Sequence, residues 1–97
     1  MRIVARRTLL DFTRTHADAA NAIGAWYRMV KRAEWSSASD VKASDPRASI
    51  LAGNRAVFDI RGGSYRLVAA IHYRTKIVFV RFVGTHAEYD DIDATTV

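Results

Sequence analysis

Three β-rich runs follow one another in RAVFDIRGGSYRLVAAIHYRTKIVFVRFV, residues 55–83. They cover residues 55–61, 64–73 and 76–83, and the dipeptides Gly62-Gly63 and Arg74-Thr75 separate them. Short runs of β-branched and aromatic residues with two-residue breaks are typical of β-hairpins. The pattern therefore predicts an antiparallel meander.

The segments before the meander predict a short strand and two helices. Residues 1–4 are apolar enough for the strand, and apolar residues then recur at helical spacing in two stretches. These residues are Leu9, Leu10 and Phe12 in the first stretch and Ile23, Tyr27 and Val30 in the second. Residues 36–46 are rich in Ser and Asp and predict a connector with at most one short helical turn.

A helix is also predicted directly after the meander. Thr85 and Glu88 have the spacing of a capping box, so the helix should begin at His86. The predicted fold class is thus α+β: an N-terminal strand and two helices pack on a three- to four-stranded antiparallel sheet, and a short helix follows it. A chain of 97 residues with 49% hydrophobic content can close one core, so residues 1–97 are predicted to form a single domain.

Composition limits the classes of protein to which the chain can belong. There is no cysteine, and the apolar runs are strand-sized, which predicts a cytoplasmic protein without disulfides or a membrane-spanning helix. The net charge is +5, and the 15 basic residues, all before Gly84, outnumber the six acids there by nine. A polyanion is the partner that such a charge favours. The alternative interpretation is that the arginines only keep a small domain soluble.

Hairpin geometry places two arginines on one face of the sheet. A turn at Gly62-Gly63 sets Asp59 opposite Arg66, and a tight turn at Arg74-Thr75 sets Arg66 opposite Val83. Alternation then separates the residues of the sheet into two faces. The face predicted to pack on the helices carries Phe58, Ile60, Leu67, Ala69, Ile71, Val78, Val80 and Phe82. The other, which we call the open face, carries Asp59, Arg61, Arg66, Val68, Phe79 and Arg81.

Four chemically capable side chains are expected to converge at the end of the last strand. In this register Arg66 and Arg81 are diagonal neighbours, and His86 and Tyr89 share one face of the following helix. Two guanidinium groups, an imidazole and a phenol suit the handling of a phosphodiester. The structural alternative is that Arg66 pairs with Asp59, Arg81 is solvated, His86 begins the helix and Tyr89 fills the core. His72 is about 20 Å from Arg66 along the strand and is excluded, and His16 is assigned to an interhelical turn.

The same residues carry a family resemblance over most of the chain. Residues 54–60, 65–68 and 80–90, with Trp35 and the run Asp40-Val41-Lys42 before them, resemble HigB toxins of the RelE/ParE superfamily. The resemblance implies a compact RelE-like fold and an endoribonuclease that cuts mRNA on the ribosome. It also implies a HigA-type antitoxin with a helix-turn-helix DNA-binding domain, in a complex that can bind operator DNA. RelE-type enzymes place basic residues after the last strand, whereas this chain has Thr85-His86.

The expected mechanism needs no metal or cofactor, because the 2′-hydroxyl of RNA can itself attack the adjacent phosphate. Arg66 and Arg81 would clamp the phosphate, His86 would move a proton, and Tyr89 would position the base. Lys42, Arg55 and Arg61 are predicted to bind RNA. Three scattered histidines and an acidic tail do not suggest a metal site. Two other functions remain open: a non-catalytic RNA- or ribosome-binding module, and a ParE-like toxin that poisons DNA gyrase.

Overall fold

A computed structural model describes all 97 residues and contains five strands and four α-helices. In chain order they are β1 (Arg2–Val4), α1 (Arg6–Thr15), α2 (Ala20–Arg32), α3 (Ala38–Ser44), β2 (Ser49–Leu51), β3 (Arg55–Ile60), β4 (Tyr65–His72), β5 (Ile77–Thr85) and α4 (His86–Asp90). A 3₁₀ turn, Ala17–Ala19, joins α1 to α2. The α+β class, the strand before two helices and the short last helix are confirmed.

The sheet is larger than the sequence suggested. Its strand order is β1-β5-β4-β3-β2, so it has five strands rather than three or four. It is also mixed, because β1 runs parallel to β5 while the other neighbours are antiparallel. The additional strand is β2, only three residues long, which follows the connector and pairs with β3. The connector itself forms α3, a helix of seven residues rather than a single turn.

The hairpin between β3 and β4 has the predicted register. Asp59 is paired with Arg66 and Ile60 with Tyr65. The turn requires a left-handed backbone, with φ of +64° at Gly62 and +94° at Gly63. Glycine adopts these angles at no steric cost, which explains why this dipeptide fixes the pairing.

The core lies between the helices and one face of the sheet. It is a cluster of 17 buried residues that includes Leu67, Ala69, Ile71 and Val78 from the predicted helix-packed face. At its centre Phe58 has no exposed surface, and its ring centroid lies 5.5 Å from that of Trp26 and 6.2 Å from that of Trp35. Burying one such side chain stabilises a fold by about 1.5–3 kcal/mol. None of the helices is both long enough and apolar enough to cross a membrane.

Candidate functional site

The last strand contains a β-bulge at Arg81. The pairing of β4 with β5 follows the predicted register from His72–Ile77 as far as Ala69–Val80. The next residue of β4, Val68, then pairs with Phe82 rather than with Arg81. Arg81 is therefore an extra residue without a partner on β4. The predicted pairing of Arg66 with Val83 is wrong, since Arg66 pairs with Gly84. Bulges of this kind re-aim side chains and are frequent beside active sites.

The bulge exchanges the faces of the residues that follow it. Phe82, predicted on the helix side, lies on the open face with Val68 and Tyr89, while Val83 packs against the main core. The Phe82 ring covers Gly84: a Cβ at that position would lie 2.6 Å from the ring and 3.0 Å from a Glu88 carboxylate oxygen. Position 84 therefore needs a residue without a side chain.

Helix α4 begins where the sequence predicted. The Thr85 hydroxyl accepts a hydrogen bond from the Glu88 backbone N–H at 3.1 Å, and the Glu88 carboxylate accepts one from the Thr85 N–H at 2.8 Å. Hydrogen bonding of the Glu88 carboxylate to the backbone N–H of Thr85, and then to the Thr85 side chain, lowers the pKa of Glu88, and the charge of His16 adds to the effect. His86 is thereby fixed at the first position of the helix, next to the end of β5.

The side chains of His86 and Tyr89 have different surroundings. His86 is exposed, and its Nδ1 lies 3.2 Å from a carboxylate oxygen of Asp90. Tyr89 is half-buried, with its ring centroid 6.4 Å from that of Phe82. It packs on a small cluster formed by Val57, Val68 and Ala94. The phenol is thus held against the sheet, whereas the imidazole is free to meet a ligand.

Arg66 lies at the same end of the sheet but is partly engaged. Its Nε is 3.2 Å from a carboxylate oxygen of Asp59, and its Nη1 donates to the Gly63 carbonyl at 2.6 Å. Only 19% of its side chain is exposed. These contacts are those of the structural alternative, and they leave Nη2 for another acceptor.

Arg81 points to a different part of the open face. Its guanidinium carbon lies 5.5 Å from the centroid of the Phe79 ring, and Arg81 is exposed. Arg66 is paired with Gly84, which lies three residues after Arg81 on β5. The structure therefore brings Arg66, His86 and Tyr89 to one end of the sheet and directs Arg81 away from it.

The three residues predicted to bind RNA all have partners within the chain. Lys42 donates to the carbonyls of Pro46 and Ala48, at 2.8 and 2.7 Å. Arg55 donates to the Gly53 carbonyl at 2.8 Å and twice to the Val97 carbonyl. Arg61 is half-exposed and lies 3.1 Å from a carboxylate oxygen of Asp18. Lys42 and Arg61 are more exposed than Arg55.

A polar cluster that the sequence did not indicate lies on the helix side of the same sheet end. The Tyr65 hydroxyl donates to Asp18 at 2.6 Å, and the His16 ring stacks on Phe12 with centroids 4.2 Å apart. The hydrogen bond between Tyr65 and Asp18 lowers the pKa of Asp18 and raises the pKa of Tyr65. The charge of Arg61 also contributes to the lowered pKa of Asp18. The cluster ties the turn between α1 and α2 to the sheet.

No group of three or more His, Asp or Glu side chains is arranged to hold a metal ion. The side chains that could act on a ligand at this end of the sheet are thus a guanidinium, an imidazole and a phenol. Together they can bind an anion, transfer a proton and contact an aromatic ring.

Comparison with known proteins assigns the family. Residues 19–92 match the model of HigB toxins, described as the RelE-like toxic component of a toxin–antitoxin system. The chain belongs to the HigB toxin family. It is also similar to the mRNA interferase HigB of Escherichia coli O6:H1 (strain CFT073), with 26% identity over 94 residues, 95% of this chain and 91% of that protein. The matched region of the HigB family model contains β2 to α4 and hence the whole candidate site.

Proposed function

We propose that this HigB-family chain is the toxin of a type II toxin–antitoxin system and an endoribonuclease that cleaves mRNA on the translating ribosome. The family match supports the role of toxin, and the name of the E. coli relative, an mRNA interferase, supports RNA as the substrate. The observation that carries the proposal is the pairing of Arg66 with Gly84, directly before the capped helix that begins with His86.

In the proposed reaction the 2′-hydroxyl of one nucleotide attacks the phosphorus that follows it. The bond from phosphorus to the 5′-oxygen breaks, and a 2′,3′-cyclic phosphate and a 5′-hydroxyl result. One group must accept the proton of the 2′-hydroxyl, and one must give a proton to the leaving 5′-oxygen. A cation must neutralise the charge that develops on the phosphate. None of these tasks requires a metal ion.

Arg66 takes the task of charge neutralisation. Its contacts with Asp59 and Gly63 fix the plane of the guanidinium and leave Nη2 for a phosphate oxygen. A donor oriented in advance does not have to reorganise during the reaction, which is the main source of electrostatic catalysis. In this proposal the ion pair with Asp59 orients Arg66 for catalysis and is not the only role of Arg66.

His86 takes the task of proton transfer. Asp90 contacts its Nδ1, which orients the ring and presents Nε2 to solvent. Either the acid or the base of the reaction can be assigned to it. Tyr89, held by Phe82, positions the base by stacking or assists by hydrogen bonding.

The other basic residues bind the RNA at a distance from the cut. Arg81 was predicted to clamp the scissile phosphate with Arg66, and because of the bulge we propose that it contacts a neighbouring part of the strand. Lys42, Arg55 and Arg61 extend the basic surface, and Lys42 and Arg61 are more exposed than Arg55. We further propose that a HigA-type antitoxin with a helix-turn-helix domain silences the toxin and that their complex binds operator DNA.

The test is cleavage of a defined mRNA on purified ribosomes with the ends mapped, beside the His86→Ala protein. The expected result is cleavage by the wild-type protein only, with 2′,3′-cyclic or 3′-phosphate ends. A 3′-hydroxyl end would contradict attack by the 2′-hydroxyl. Cleavage only in the presence of a divalent ion that acts on the toxin itself would contradict the metal-free mechanism.

A non-catalytic RNA- or ribosome-binding module is the second candidate. It is favoured by the ion pair of Arg66 with Asp59 and by the contact of His86 with Asp90, which give both residues a structural role. This function predicts salt-dependent binding to RNA or ribosomes without cleavage. The same experiment separates the two, because only the first produces new RNA ends.

A further inference from the structure

An aromatic ring flanked by two basic side chains lies on the open face away from the candidate catalytic groups. Phe79 is half-buried and sits on this face because its neighbour Val78 belongs to the main core. The His72 ring meets it nearly edge-on, with centroids 4.8 Å apart, and the Arg81 guanidinium lies over it at 5.5 Å. Helix α4 contributes nothing to this arrangement.

The surroundings of Phe79 are basic. Strands β1, β4 and β5 contain Arg2, Arg66, His72 and Arg81 but no aspartate or glutamate. The covered part of the open face lies elsewhere, where Tyr89, Ile92, Ala94 and Val97 pack around Val57 and Val68. The exposed aromatic surface of the sheet therefore has cationic neighbours and no competing carboxylate within its own strands.

We propose that Phe79 is a stacking platform for an unpaired base of the substrate RNA, with Arg81 binding the phosphate beside that base; this rests on the proposed function. An aromatic ring on a sheet surface with nearby arginine is the combination that single-stranded RNA uses, because every base has a π face and every link a negative charge. A protein partner with an acidic surface would meet the arginines but would leave the ring without a specific contact.

The spacing is compatible with one RNA strand that reaches both sites. Phe79 pairs with Ala70 and Gly84 with Arg66, so four residues of β4 separate the platform from the start of α4. At about 3.3 Å per residue this is about 13 Å, which about four stacked nucleotides cover at about 3.4 Å each. The base that stacks on Phe79 therefore lies within about four nucleotides of the cleaved bond.

The first experiment removes one base at a time from the mRNA. A single abasic nucleotide is moved through the positions on both sides of the cut, and single-turnover cleavage on ribosomes is measured. With wild-type protein, one position should slow cleavage about 5- to 150-fold. The Phe79→Ala protein should cleave the intact mRNA more slowly by a similar factor, and the abasic nucleotide at that position should slow it no further. The Phe79→Trp protein should keep both the wild-type rate and the sensitivity to the abasic position.

A matched control exists on the helix side of the molecule. Tyr27 is also half-buried and has the Arg6 guanidinium at 5.3 Å from its ring centroid. Tyr27→Ala removes a similar contact and should retain the full rate and the full sensitivity to the abasic position. The inference would be overturned if the wild-type protein cleaves the mRNA but no abasic position slows it more than it slows Phe79→Ala. The proposed function would remain supported in that case.

A binding measurement decides the matter if the wild-type protein does not cleave RNA. The fluorescence of Phe79→Trp is titrated with a short single-stranded RNA, and the wild-type protein provides the background of Trp26 and Trp35. Quenching of the new tryptophan beyond that background supports the platform even though the proposed function has then failed. Quenching no greater than in the wild-type protein overturns the platform, whatever the cleavage assay gives.

Discussion

Side chains alternate between the two faces of the sheet, and the two faces have different roles. Leu67 and Val68 are neighbours, and neither has exposed surface. Leu67 joins the cluster of 17 buried residues beneath the helices, whereas Val68 joins one of three on the open face. Most of the apolar burial that stabilises the fold is therefore on the helix side. The open face can change its side chains with less effect on folding, which makes activity and stability separable.

The largest expected effect is on the helix side, and a matched phenylalanine tests the comparison. Phe58→Ala should lower the free energy of unfolding by about 3–5 kcal/mol, because the cavity between Trp26 and Trp35 cannot close. Phe79→Ala on the open face should cost less than half as much. Denaturant unfolding of both variants is the measurement, and equal losses would contradict the division between the faces.

The next effect is on activity alone. Arg66→Ala should reduce mRNA cleavage by about 10²-fold or more, because it removes a preoriented donor to the phosphate. The loss of its partly exposed ion pair should cost only about 1 kcal/mol of stability.

Asp59→Asn provides the control for Arg66. It breaks the same ion pair but keeps the guanidinium and the shape of the carboxylate. We expect it to lose less cleavage activity than Arg66→Ala, because the amide oxygen and the Gly63 carbonyl can still orient the guanidinium, while its stability change is like that of Arg66→Ala. Equal loss of cleavage in the two variants, in step with their melting temperatures, would favour a purely structural ion pair.

His86→Gln should reduce the bond-breaking rate by about 10²-fold if the imidazole transfers a proton. The glutamine keeps the length and polarity of the side chain but cannot change its protonation state. Single-turnover cleavage across pH, on ribosomes with unaltered mRNA occupancy, should lose one limb of the rate profile. An unchanged profile would assign proton transfer to another group, such as Tyr89.

The smallest effect concerns the cap of α4. Hydrogen bonds with Thr85 lower the pKa of Glu88 from its usual 4.5, so the charged form is favoured by folding. Its stabilising contribution is present above the unfolded pKa and disappears as pH falls through the folded pKa. Glu88→Gln should therefore melt slightly below wild type at neutral pH, and the difference should vanish in acid. A difference independent of pH would mean that the amide fails for a reason other than charge.

Much of the fold could be predicted from local signals. Gly62-Gly63 fixed the pairing of β3 with β4 because a left-handed turn leaves few other registers. The capping box fixed the start of α4 for a similar reason, since both partners lie within four residues. The short strand β1 was predicted, but its parallel position beside β5 was not, because nothing in three residues selects a neighbour.

The details of the site were harder to predict. Alternation in β5 assumes that every residue pairs, and no residue type announces the bulge at Arg81. The error changed the face of Phe82 and the neighbour of Arg66. The partners of Arg55 depend on how residues 91–97 lie over the sheet, which is a tertiary contact without a local signal. Phe79 was placed correctly on the open face, but its position between His72 and Arg81 could not be read from alternation, because the bulge sets where Arg81 lies.

The parallel pairing of β1 with β5 has a consequence for synthesis. Arg2 is paired with Ile77, so β1 has its partner strand 75 residues later in the chain. Contacts so distant in sequence are slow to form, and domains fold as units once their chain is available. The edge of the sheet therefore stays incomplete until β5, the strand that carries Gly84 and leads into α4, has been synthesised.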